Sequence, residues 1–230
     1  MTYGIKYDIL IVIKRRLEIW RRDMKIITVS REFGSGGREL GKRIADKMGI
    51  AYFDREIISE VAKGSELDEN YVEAVLDRGL FRDIPITIGH SISSSSSINH
   101  TTQKIISEQQ RIITEMATHN DCVIVGRNAD IILRDYDPLK LFVYADMPSK
   151  IERCRQRAPE GEHLSDKEMA KVIKRINKSR ARTHTYLSQI PWGNKEGYHL
   201  CVNTSDTDIK AMAELLADYA EHWFARRENK

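Results

Sequence analysis

The chain has 230 residues, enough for one large domain with an appended element. Hydrophobic residues make up 41% and charged residues 31%, ordinary globular usage that excludes a disordered, collagen-like or membrane-embedded chain. Lys and Arg total 37 against 34 Asp and Glu, so a net charge of +3 gives no global basic field for wrapping nucleic acid, and any anion site must be local.

Residues 1–23 hold a short apolar run, Ile9 to Ile13, between Lys6 and the basic group Lys14, Arg15, Arg16, Arg21 and Arg22. Such a run is too short for stable membrane insertion and no cleavage-site pattern follows, so this stretch reads as an amphipathic arm or an extension ahead of a start at Met24. Residues 24–230 read as a single domain. Residues 25–30 (KIITVS) are apolar and β-branched, as a buried parallel strand requires, and run into Gly34-Ser35-Gly36-Gly37. Leu40, Ile44, Ala45 and Met48 then recur on one face of a helix over 38–48 that Gly49 ends. Residues 51–54 (AYFD) give a second strand, 55–61 a second helix and 68–81 a third.

Residues 83–102 carry Pro85, Gly89 and the run Ser93 to Ser97, a composition that predicts a surface loop or a flap rather than a helix or strand. Helical periodicity returns over 102–118 through Ile105, Ile106, Ile112, Ile113 and Met116. A strand over 122–125 (CVIV) ends in Gly126-Arg127-Asn128, and another over 139–145 leads to a helix over 149–157. Residues 153–182 carry two basic clusters, at 153–157 and 171–182. A strand over 198–203 and a helix over 207–226 close the chain, the helix turning Ile209, Met212, Leu215, Leu216, Tyr219 and Trp223 inward. Trp192 reads as part of a packed turn. Strands alternating with helices predict an α/β fold with a doubly wound parallel sheet and ligands beyond the C-terminal strand ends.

Cys122, Cys154 and Cys201 are odd in number without CxxC spacing, and the seven histidines lack HExxH spacing; this predicts no disulfide framework and no protein metal site, and suits a reducing cytoplasm. The glycine loop is the informative element. Backbone N–H groups close around phosphate only where side chains do not block them, and a following helix turns its positive end toward the anion. The pattern GxxxxGK(S/T) is met in neither of two registers. In one, Arg31 replaces the first glycine, Gly37 the lysine and Arg38 the hydroxyl residue; in the other, Glu32, Arg38 and Glu39 fill those slots. A plain glycine turn is the alternative. Glu39 also stands where a GxGxxG dinucleotide fingerprint needs glycine, which argues against a dehydrogenase.

On VSREFGSGGRELGKRIADKMGIAYFDREII, VIVGRNADIIL, LKLFVYADMPSKIERCRQR and CVNTSD, the chain resembles the cytidylate kinase-like branch of the P-loop nucleoside monophosphate kinases. The resemblance implies a three-layer α/β/α core of P-loop nucleoside triphosphate hydrolase type with a helical lid, ATP and Mg²⁺ as cofactors, and phosphoryl transfer to CMP or dCMP. It implies that Gly34, Ser35, Gly36, Gly37, Arg38 and Glu39 form the nucleotide loop, that Asp54, Arg127 and Asn128 border the monophosphate, and that Arg38, Arg153, Arg175 and Arg180 serve catalysis. Fixed positive charge in such numbers suits phosphoryl transfer, which needs no side-chain nucleophile. The lid arginines read equally as a solvated helix face.

Two departures stand out: Asn128 replaces the acid of the family's GRD, and Asn177 replaces an acid in the lid. They leave open a kinase for another small molecule, or a nucleotide-binding regulator of the same fold without turnover.

Overall fold

The computed structural model describes residues 24–78, 95–158 and 164–228; the 1–23 arm and residues 83–94 of the predicted loop lie outside them. Among the described residues, five strands form one parallel sheet: β1 (Ile26–Arg31), β2 (Ala51–Phe53), β3 (Cys122–Val125), β4 (Leu139–Tyr144) and β5 (Leu200–Asn203), in the order β2-β3-β1-β4-β5. Register pairs Val29 with Val125 on one side of β1 and Arg31 with Val143 on the other. The helices are α1 (Gly37–Met48), α2 (Glu56–Ser65), α3 (Glu69–Arg78), α4 (Ser95–His119), α5 (Ala129–Ile132), α6 (Met147–Gln156), α7 (Asp166–Leu187) and α8 (Ile209–Glu228).

Both faces of the sheet are apolar, so each must be covered. Ile27, Val29, Val123, Val125, Leu141 and Val143 pack with Leu40, Ile44 and Ala45 of α1 and with α8. Ile26, Cys122 and Ile124 face the other way, onto Ile57 and Val61 of α2, Val72 of α3 and Ile105, Ile112 and Ile113 of α4. The result is a three-layer α/β/α domain. Each fully buried Ile or Leu contributes about 1.5–3 kcal/mol.

Three expectations change. The helix predicted from residue 102 begins at Ser95, inside the serine run. Serine is only modestly poorer than alanine in a helix, and extending a formed helix is far easier than nucleating one, so the Ile105–Ile113 face draws the preceding residues in. The helix predicted over 55–61 runs to Ser65, whose Oγ donates to the Val61 carbonyl at 2.6 Å. On α8, Leu215 is 67% and Tyr219 41% exposed rather than turned inward; Ala213, Ala217, Ala220 and Phe224 make the buried face. Small alanines let α8 lie close against α1, and close packing outweighs side-chain size in choosing the inner face.

Candidate active site

The chain leaves β1 for β2 on one side and later adds β4 on the other, so the C-terminal ends of β1 and β3 border the crevice where open α/β sheets bind ligands. β1 ends in Arg31 and β3 runs into Gly126-Arg127-Asn128. Between β1 and α1, Gly34 and Gly36 adopt φ of 80° and 79°, the left-handed region that glycine occupies without strain. A Cβ on Gly34 would lie 2.8 Å from the Lys150 carbonyl, and one on Gly36 would collide with Ile209 Cδ1. The rear of the loop therefore packs on α6 and α8. Gly36 is the N-cap of α1 and supplies no side-chain cap, so the first helical N–H groups are left for a ligand at the positive end of the helix. That N-cap selects the first register: Gly37 holds the lysine slot and Arg38 the hydroxyl slot.

Three hydrogen bonds fix the loop. Ser35 Oγ donates to the Glu32 carbonyl at 2.9 Å, Thr204 Oγ1 donates to the Ser35 carbonyl at 2.6 Å, and Phe33 N–H donates to Asn177 Oδ1 at 2.8 Å. The last bond ties the loop to α7, where the lid acid was expected. Beneath the loop, buried Lys150 pairs with Glu32 at 2.7 Å.

Two cavities meet here. The loop cavity, about 90 Å³, is walled by Gly34, Gly36, Gly37, Arg38, Arg157 and Glu32. The inner cavity, about 60 Å³, is walled by Ser30, Gln109, Arg127, Asn128, Thr183 and Trp192. Arg31 and Arg180 belong to both. Each space suits a phosphate-sized group rather than a whole drug-sized ligand. Trp192 packs edge-on against Phe142 at 5.2 Å, as a packed turn should, and also closes the inner cavity.

Arg38, Arg127 and Arg180 converge on Arg31, and Arg31 and Arg38 flank the buried carboxylate of Asp54. Arg38 Nε lies 2.5 Å from Asp54 Oδ2 and Arg31 Nη2 lies 3.6 Å from Oδ1. Arg180 donates to the Arg31 carbonyl at 2.9 Å and lies over the Phe33 ring. Burial first, then Arg180, with Arg127 and Arg38 adding and Asp54 opposing, lowers the Arg31 pKa from the ordinary guanidinium range to about 9. Gln109 donates to the Arg127 carbonyl at 3.0 Å, fixing a residue whose φ of 58° is unusual for a bulky side chain. Behind this wall, buried His184 of α7 and Asp130 of α5 share a 3.0 Å hydrogen bond, linking the helix of Arg180 to the turn of Arg127.

Of the residues expected in the site, the glycine loop, Arg38, Asp54, Arg127, Asn128 and Arg180 come together. Arg153 donates to the Thr204 carbonyl and borders a separate groove of about 820 Å³ with Met147, Pro148, Asp206 and Thr207. Arg175 is exposed on α7 and lines neither of the two joined cavities. Glu39 bonds Arg43 at 2.9 Å and Arg157 at 2.8 Å on the outer face of α1. Sequence reasoning took Arg31 for no more than a lost glycine and passed over Gln109, Thr183 and Thr204; a charged residue closing an otherwise apolar strand was the available signal for Arg31.

A parallel sheet, an uncapped glycine loop on a helix N-terminus and an adjoining arginine cluster define the P-loop kinase class. The model of the cytidylate kinase-like family matches residues 26–206, and the chain belongs to that family. Among solved structures, an uncharacterized protein from Eubacterium ventriosum is 24% identical with a TM-score of 0.62, over 86% of this chain and 99% of that one. Shikimate kinase from Bacteroides thetaiotaomicron is 16% identical with a TM-score of 0.53, over 86% and 99%. At these identities the shared property is the fold. No curated protein matches. Among the described residues, no helix is long and apolar enough to cross a membrane.

Proposed function

We propose that this protein transfers the γ-phosphoryl group of ATP to a nucleoside monophosphate, CMP or dCMP first among them, in the cytoplasm, where its free cysteines stay reduced. One observation carries the reading: four guanidinium groups gather at Arg31, two of them on the carboxylate of Asp54, directly beside an uncapped glycine loop. In this reading the loop and the first N–H groups of α1 take the β- and γ-phosphates, and the adenosine extends into the groove bordered by Arg153 and Thr207. Arg127 takes the acceptor phosphate in the inner cavity, while Arg38, oriented by Asp54, faces the loop cavity. Asn128, Gln109 and Thr183 border the same cavity, which takes the acceptor's phosphate and leaves its nucleoside to extend beyond it.

ATP fits the residues present, since the loop keeps glycine where φ is positive and offers uncapped amides. A resident magnesium ion does not. The Ser35 hydroxyl is spent on the Glu32 carbonyl, Asp54 sits between two guanidinium groups and Glu32 pairs with Lys150. Magnesium would arrive on the nucleotide phosphates with its own waters. The chain's own work is positioning and charge: arginines hold both phosphates while negative charge spreads over the oxygens in transit.

The experiment is ADP release from ATP and Mg²⁺ with a panel of nucleoside monophosphates, CMP and dCMP giving the highest kcat/KM. Glycine in the lysine slot and arginine in the hydroxyl slot favour a second reading, a nucleotide-binding regulator. ATP binding without ADP release for any acceptor is its signature.

A further inference from the structure

The GxxxxGK(S/T) pattern places a lysine next to the terminal phosphates, yet the slot after the N-cap here is Gly37, where even a Cβ would come 2.6 Å from Arg31 Cβ. Most neighbouring cations are engaged elsewhere. Lys150 is held by Glu32 below the loop, Arg157 by Glu39, Arg38 by Asp54, and Arg153 by Thr204. Arg31 is differently situated. Its stem lies under Gly37, its guanidinium fills the space above Gly126 so fully that a Cβ there would overlap it, and it forms a wall common to both cavities. Its nearest carboxylate, at 3.6 Å, is already engaged with Arg38.

A buried cation crowded by three more is costly unless an anion completes the set. Burial first, then the neighbouring cations, brings its pKa down to about 9, and the group is still charged at neutral pH. The free volume around it is split between the nucleotide loop and the inner cavity, so an anion that compensates it lies at the junction of the two.

We propose that Arg31 supplies the charge of the missing loop lysine, touching the phosphoryl group while it passes between donor and acceptor. The proposal rests on the phosphotransfer reading above. In the step, the bond from the γ-phosphorus to the β,γ-bridging oxygen breaks and its electron pair leaves on ADP. A lone pair on an acceptor phosphate oxygen forms the new P–O bond, and from a phosphate dianion no proton has to move. Arg31 keeps its proton throughout and binds most strongly when charge on the transferring oxygens is greatest. The consequence for the fold is the reverse: without an anion, Arg31 lowers stability.

The experiment compares the full chain with its Arg31→Met and Arg31→Lys variants in melting, ATP titration and ADP release, using inorganic tripolyphosphate as the anion probe. Arg31→Met is expected to melt higher than the wild type without anion, and to gain clearly less from tripolyphosphate. Its kcat should fall about 10²–10³-fold, as for loss of one preorganised transition-state donor, while its ATP Kd changes far less. Arg31→Lys should recover part of both kcat and the tripolyphosphate response. Equal tripolyphosphate stabilisation in wild type and Arg31→Met overturns the proposal, as does an unchanged kcat. Failure of Arg31→Met to fold contradicts the claim that Arg31 is held against stability. If the wild type turns over no acceptor, the phosphotransfer reading falls, and the tripolyphosphate arm alone still decides whether Arg31 is an anion-binding group at the junction.

Discussion

Substituting Gly126→Ala tests the junction directly, because the added methyl has two separable effects. At φ of 73° an L-residue carries about 1–2 kcal/mol of left-handed strain. The Cβ also overlaps the Arg31 guanidinium, which must leave the space between the cavities. For a domain of 150–250 residues each kcal/mol shifts Tm by about 2–4 °C, so strain alone predicts a loss of about 2–8 °C. The second effect appears in a double-mutant cycle. In an Arg31→Ala background the overlap vanishes and the strain remains, giving a coupling between the sites of about 0.5–3 kcal/mol, the range for residues in contact. Chemical denaturation of the wild type, both single variants and the double variant measures it. Additivity within about 0.5 kcal/mol would show that the two side chains do not share this space. Gly126→Ala should also depress turnover while ATP affinity holds, since the nucleotide loop lies on another strand end.

Gly36→Val is expected to weaken ATP binding at least about tenfold through loop displacement, since its Cβ strikes Ile209 rather than entering the cavity; Ile209→Ala in the same protein should restore stability in part, and unchanged ATP affinity by titration would count against the loop assignment. Arg127→Ala removes a charge-assisted phosphate contact worth about 1.5–3 kcal/mol, so acceptor KM should rise about 10–150-fold with ATP Kd nearly constant. Equal losses for both ligands would reject that role. The pH dependence has a definite sign: with the Arg31 pKa near 9 folded and in the higher, ordinary guanidinium range unfolded, the unfolded chain binds more protons between those values, so this group's contribution to stability rises with pH there. Urea midpoints should therefore favour Arg31→Met most below about pH 9, with the advantage shrinking above it; a gap that widens with pH would contradict the crowding of Arg31.

The strands were legible because each is a short apolar run that can be buried on both faces of a parallel sheet, and α1 because a glycine loop and Gly49 bracket its periodic face. The glycine loop and Arg127 were legible for a related reason: each directly follows a strand, where the architecture itself presents ligands. The helical character of Ser95 to Thr102 was hidden because serine's preference depends on whether a neighbouring helix is already paid for by packing. The exposed Leu215 and Tyr219 show the same limit, since periodicity identifies a face but not the depth at which alanines let two helices approach.

By itself the sequence determined the α/β layering, the glycine loop between strand and helix and a surplus of arginines beyond it. Local pattern suffices for these, because backbone periodicity and glycine conformations are properties of neighbouring residues. Only the tertiary structure decided which arginines cluster beside the loop. Arg31, Arg38, Arg127 and Arg180 come from three separate stretches of chain, while Arg153 and Arg175, no less basic, lie outside the cluster. Electrostatic energy depends on distance and burial, and both are set by how strands and helices assemble rather than by the order of residues along the chain.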